Sequence, residues 1–184
     1  MKTLCVILFL AAGGAGATCP APQDTSEEIG ALFEEARAAE NDQAGQQIAA
    51  KMWQVWLRAP NETAQEVLDR GMRYRSGFDF ASALREFDRL AEYCPLYAEG
   101  FNQRAFVHFL REDYESALVD LDAALALSPD HVGARSGKAL TLMNMGRIPE
   151  ARAELILALE NNPWLSERFL LNNGGPLALP GKDI

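Results

Sequence analysis

Residues able to do chemistry are few in this chain, and their spacing does not assemble a reaction centre. The 2 histidines, His108 and His131, lie far apart, and no His-x-x-x-His or Cys-x-x-Cys pair brings two metal ligands together. Gly13-Gly14 is followed by no Lys-Ser or Lys-Thr, and Gly174-Gly175 runs into Pro176, so no glycine-rich loop can cradle a phosphate with backbone N–H groups. A Gly-x-Ser-x-Gly elbow is absent too, and no stretch reads as the strand that would seat one. Carboxylates are plentiful, yet on helices they have an ordinary solvated role. These observations predict a chain that is not an enzyme and uses no metal or cofactor.

The remaining reactive groups are thiols, and their fate depends on the compartment. Met1-Lys2 is basic, Leu4 to Ala12 is an apolar run, and Gly13 to Thr18 is rich in small residues. That order is the pattern of a secretory signal peptide over residues 1–17, with Ala15-Gly16-Ala17 as cleavage site and Thr18 as the mature N-terminus. The apolar run is too short to span a bilayer. Cys5 leaves with the leader, and export, expected to the periplasm, takes Cys19 and Cys94 to an oxidising place where they can bridge. Lipidation is the competing use of Cys19, which sits where a bacterial lipoprotein carries its modified cysteine; Thr18, directly before it, departs from the Gly or Ala of that pattern. Two free thiols are the third state the sequence allows.

Lys and Arg number 17 against 26 Asp and Glu, a formal net charge of −9. This balance repels phosphate backbones and anionic lipid. Nucleic acid is therefore excluded as a partner, and so is direct membrane insertion of the mature chain unless Cys19 is lipidated.

The elements that must position these residues read as helices. Residues 18–24, with Pro20 and Pro22, form an extended arm. Thr25-Ser26-Glu27-Glu28 has the form of a capping box opening a helix with the stripe Ile29, Leu32, Phe33 and Ala36. A second helix, N-capped by Asp42, carries Ile48, Ala49, Met52, Trp53, Val55 and Trp56 and stops at Pro60. Beyond it a period appears. Pro95, Pro129 and Pro163 stand 34 residues apart, and so do Ala83, Ala117 and Ala151, Phe87, Leu121 and Leu155, and Gly71, Ala105 and Ala139. Small residues let two helices cross closely, and a proline ends each unit. Thr63-Ala64-Gln65-Glu66 is a second capping box, and Gly77 to Phe80, Glu112 to Tyr114 and Gly146 to Pro149 are the turns inside three units.

A helix-turn-helix period of 34 with these columns resembles the tetratricopeptide repeat, TPR, strongly over residues 64–165 and weakly over 25–61. The resemblance implies an all-α, right-handed α-solenoid of antiparallel helix pairs with three repeats, 64–97, 98–131 and 132–165. A degenerate N-terminal helix pair at 25–61 would cap one end, since Pro60 is one residue out of register. At 166–184 a short helix, Ser166 to Asn172, would press Phe169, Leu170 and Leu171 onto the third repeat, ahead of a loose tail from Leu177. Two charged columns, Arg70/Arg104/Lys138 and Glu86/Asp120/Glu154, predict a ladder of ion pairs, and Arg135 occupies a slot usually large and apolar.

The resemblance also implies that the first helices line a concave groove for an extended or helical segment of another protein. Its lining would be Leu68, Met72 and Arg75, then Asn102, Gln103, Phe106 and Phe109, then Ser136, Leu140, Met143 and Asn144. Aromatic and Met side chains suit an apolar segment whose backbone is held by the Asn102 and Gln103 amides. TPR domains that clamp a terminal carboxylate use Lys, Asn and Arg where this chain has Leu68, Met72, Gly133 and Gly137, with only Gln103 close to the pattern. The expected function is a non-catalytic periplasmic adaptor or assembly factor. The alternatives are a structural self-association module or a lipid-anchored envelope protein, and burial of Phe106 and Phe109 as core would remove the groove.

Overall fold

Apolar residues recur at helical spacing along nearly the whole chain, and a computed structural model, which describes residues 18–179, turns each such stretch into a helix. In order these are α1 (Ser26–Ala38), α2 (Asp42–Trp56), α3 (Glu62–Ser76), α4 (Phe80–Tyr93), α5 (Ala98–Leu110), α6 (Tyr114–Leu127), α7 (Val132–Asn144) and α8 (Ile148–Asn161), followed by a 3₁₀ segment at Ser166–Leu171. The predicted signal segment, 1–17, lies outside the described residues.

The capping side chains expected at three helix starts are corrected, although α1 begins at Ser26 behind Thr25 as expected. Thr25 makes no side-chain cap; Asp24 accepts from the Ser26 N–H and hydroxyl instead, while Glu28 reaches Arg58 at 2.5 Å. The cap of α2 is Asn41 and not Asp42, and the cap of α3 is Asn61 and not Thr63. Both asparagines stand in extended backbone, which aims Oδ1 at the N–H of Ala44 or Ala64, at 3.0 and 2.9 Å.

Helices α3 to α8 stack as three antiparallel pairs, with α3 beside α5 and α5 beside α7. The small columns explain the close crossings. Ala83, Ala105, Ala117, Ala139 and Ala151 are fully buried, and a Cβ on Gly71 would lie 2.4 Å from the Phe87 ring. Phe87, Leu121 and Leu155 fill the space behind them. Burying each such side chain contributes about 2 kcal/mol.

The charged columns meet within each repeat, Arg70 with Glu86 at 3.2 Å, Arg104 with Asp120 at 2.6 Å and Lys138 with Glu154 at 2.9 Å. Arg104 also holds Asp88 and Lys138 holds Asp122, each on the preceding pair, so the ladder links repeats. Arg135, in its apolar slot, turns outward to Glu154 at 2.9 Å and the Pro129 carbonyl at 2.7 Å.

The N-terminal pair does not continue the stack as a cap on the first repeat. Ile29, Leu32, Phe33 and Ala36 of α1 and Ile48, Met52, Val55 and Trp56 of α2 share a core with Val132 of α7 and Ala158 of α8. Trp164 fixes this docking: its indole donates to the Ala36 carbonyl at 2.9 Å, and its ring lies where a Cβ on Gly45 would be. Leu57, Ala59 and Cys19 pack against the first repeat's core in its place.

The C-terminal end differs too. Phe169 is 59% exposed, with the Arg168 guanidinium over its ring. Leu170 and Leu171 pack on the third repeat, and Leu177, expected in a loose tail, is fully buried there. Arg152 holds that turn by donating to the carbonyls of Leu177 and Ala178 at 2.8 and 2.7 Å. Residues 180–184 lie outside the described residues.

Candidate functional site

Side-by-side packing of α5 and α7 leaves a groove on the concave face. Phe106 and Phe109 of α5 face Ser136, Gly137, Leu140 and Thr141 of α7, over a floor of Ala105 and Leu121. Trp53 of α2 closes one end and Glu167 also lines the groove, which encloses about 190 Å³. Phe106 is 45% exposed, and the Arg75 guanidinium lies over its ring, 4.9 Å from the centroid. The groove is short for a physical reason. Trp53 packs directly on α7 at Gly133, where a Cβ would approach its indole to 2.4 Å.

The expected lining is only partly brought together. Phe106, Phe109, Ser136 and Leu140 share the groove with Asn102 and Gln103 at its edge. Leu68 is fully buried in the first repeat's core, with Met72 packed against that core. Met143 packs on the third repeat's core, and Asn144 is exposed, its amide donating to its own helix at Leu140 at 2.8 Å. The burial of Leu68, Met72 and Met143 has a common cause: Leu57 and Ala59 beside the first repeat, and Leu170, Leu171 and Leu177 beside the third, add apolar surface that the repeat register does not foresee.

The two amides have another task. Asn102 and Gln103 are buried and donate to the buried carboxylate of Glu99, Asn102 at 3.0 Å. His131 donates from Nε2 to the same carboxylate at 2.8 Å, because its Nδ1 accepts the Ala134 N–H at 3.2 Å and caps α7. Arg75 donates to Gln103 Oε1; burial lowers the guanidinium pKa, and the Glu99 charge partly offsets this. Trp56 stacks on the imidazole with centroids 4.1 Å apart, so the hairpin seals the network. The amides are thus not free to hold a ligand's backbone.

Sequence reasoning missed Trp53, Glu99, His131 and Glu167. Gly133 and Gly137, four residues apart on one face of α7, carried a signal of close approach, but not the identity of the approaching group.

A larger cleft of about 490 Å³ runs between the arm, α1, the end of α2 and the loops joining repeats. It is the seam along which the N-terminal pair docks. Its polar walls already bond one another: Tyr97 donates to the Trp56 carbonyl at 2.8 Å, burial pushes the Tyr97 phenol pKa far up, and Glu99 holds His131. Cys19 and Cys94 are bridged beside it, with Cα atoms 5.1 Å apart. Leu96 and Leu127 stay exposed on its walls, so the seam is a second open surface beside the smaller groove.

Comparison with known proteins supports the fold. Residues 108–164 match the family model described as Tetratricopeptide repeat. A stretch of 76 residues, 41% of this chain, is 38% identical to the Tetratricopeptide repeat protein 36 homolog of Nematostella vectensis, over 41% of that protein. Another of 65 residues, 35% of this chain, is 37% identical to a TPR repeat-containing protein of Rhizobium etli, over 32% of it. The matches span less than half the length of these relatives. Among solved structures, the first TPR of Spaghetti (RPAP3) bound to the HSP90 peptide SRMEEVD superposes with a TM-score of 0.56 at 20% identity, covering 56% of this chain and 82% of that one. The TPR2B-domain:pHsp70 complex of yeast Sti1 gives 0.53 at 22% identity, covering 62% and 86%. At such identities the likeness is one of fold.

Proposed function

We propose, from the premise that this chain is a tetratricopeptide-repeat protein, that it acts by holding a segment of another protein in the concave groove at Phe106, as an exported adaptor or assembly factor. The observation that carries this reading is Phe106 itself, a large apolar side chain left 45% exposed inside a concave site walled by Phe109, Leu140 and Trp53. Both solved relatives described above are complexes with a partner, which supports binding as the mode of action. Support for binding over catalysis comes from the buried His131, Glu99 and Asp120, each of which is already held by a partner: His131 with Glu99 and Asp120 with Arg104. The test is a random peptide display library panned on the chain with Phe106→Ala as counter-selection. Peptides retained by the wild type and lost on the variant are expected; peptides held equally by both would place binding elsewhere.

Export is supported by the signal-like residues 1–17 and by the Cys19–Cys94 bridge, which an oxidising compartment maintains. A bridged Cys19 has no sulfur to offer to lipid, so the soluble periplasmic form is favoured over the lipoprotein. Mass spectrometry of the secreted product should give a chain starting at Thr18 with no free thiol. An acylated N-terminus would contradict this.

A further inference from the structure

We propose that the segment held in this groove is cationic and apolar: an aliphatic side chain enters between Phe106 and Leu140, and a neighbouring Lys or Arg meets the carboxylate of Glu167. The inference rests on the groove reading above and adds the chemistry of the occupant.

Volume limits what enters. Sites for whole small molecules enclose about 300–1,000 Å³. This groove, at about 190 Å³, takes a side chain or two from a longer chain. Its walls accept apolar groups, since Phe106, Phe109, Leu140 and the Trp53 indole surround the space.

Charge then selects among apolar segments. Arg75 is the cation nearest Phe106, and it is already held by Gln103 and compensated by Glu99. Glu167 is different. Its carboxylate accepts from the Ser166 hydroxyl at 3.1 Å, and no Lys or Arg reaches it among the described residues. The adjacent Arg168 points away, to Asp42 at 2.8 Å and to the carbonyls of Trp164 and Leu165. A groove bearing one uncompensated carboxylate, in a chain of formal charge −9, attracts cationic segments and slows the approach of acidic ones. The acidic SRMEEVD bound by the structural relative is thus the wrong type for this site. Glycines at 133 and 137 put no cation on the groove face of α7, and the helix's Arg135 and Lys138 are held by Glu154 and Asp122.

The experiment is isothermal titration of the bridged chain with three short blocked peptides, identical except that the residue next to one leucine is Lys, Gln or Glu. The Lys peptide should bind about ten-fold more tightly than the Glu peptide. That margin should shrink as salt is raised to about 0.5 M. Glu167→Gln should erase the Lys-over-Gln preference, and Phe106→Ala should weaken all three at unchanged melting temperature. A Glu peptide binding as tightly as the Lys peptide, with Phe106→Ala still harmful, overturns the charge inference and leaves the groove reading standing. Binding indifferent to Phe106→Ala overturns both. So does no detectable Lys-peptide binding at about 1 mM, or a chain whose groove is closed by a second copy in sedimentation.

Discussion

The repeats and the N-terminal hairpin are both built of amphipathic helices, yet they are held by different means. In α3 to α8 the same contact recurs three times: a small residue at the crossing, a large one behind it, and an ion pair above it. The α1–α2 hairpin attaches through a shared core with Val132 and Ala158 and through contacts that occur once each, Trp53 on Gly133, Trp56 on His131 and Trp164 on Gly45, while the Cys19–Cys94 bridge ties the arm before it to the first repeat. Periodic contacts make an array that each unit supports, whereas one-off contacts let a single substitution release a whole element.

That contrast can be broken from either side. Phe87→Ala, in the fully buried repeat column, should cost about 4 kcal/mol in urea unfolding and lower the stability of α3 to α8 together. Removing the bridge by Cys19→Ala should cost up to about 4 kcal/mol, the chain-entropy value for so long a loop. Because the bridge constrains the unfolded chain, the loss should appear as a lower global unfolding free energy, while local hydrogen exchange should quicken first in the arm and at the end of α4 that the bridge joins. Gly133→Ala should cost about 1 kcal/mol, because the gain in helix propensity is outweighed by an overpacked Trp53. Tryptophan emission should shift to the red as the indole is displaced.

The smallest effect concerns the caps of the repeat turns. The hydrogen bond from the Ser82 hydroxyl, then that from the Ser82 N–H, holds the Asp79 pKa below its ordinary 3.8. A carboxylate depressed in the folded state stabilises above its unfolded pKa and loses that contribution as pH falls through the lowered value. Acid melts of Asp79→Ala should therefore show a flatter pH dependence below about 3.8 than the wild type. Identical slopes would show that this cap carries no linkage.

What could be read from the sequence follows the same division. The columns Ala83/Ala117/Ala151 and Arg70/Arg104/Lys138 were legible because each repeat states its contact again, so chance was averaged out. Phe106 and Leu140 followed from the register. Asn102 and Gln103 also fall in the groove as the register implied, but their task did not follow from it, because the register says which face a residue occupies and not that Glu99 and His131 stand within reach beneath Trp56. The caps misread at Asp42 and Thr63 show a local version of this. Asn41 and Asn61 are equally good capping residues by type, and only their extended backbone decides which oxygen meets the free N–H.

The central claim is that partners enter at α5 and α7 and not along the hairpin seam. Methyl-resolved NMR of the leucines during titration with a panned peptide tests it directly. Leu140, in the groove, should shift and saturate, while Leu96 and Leu127, in the seam, should stay still. Saturable shifts at Leu96 and Leu127 with Leu140 unmoved would contradict the account.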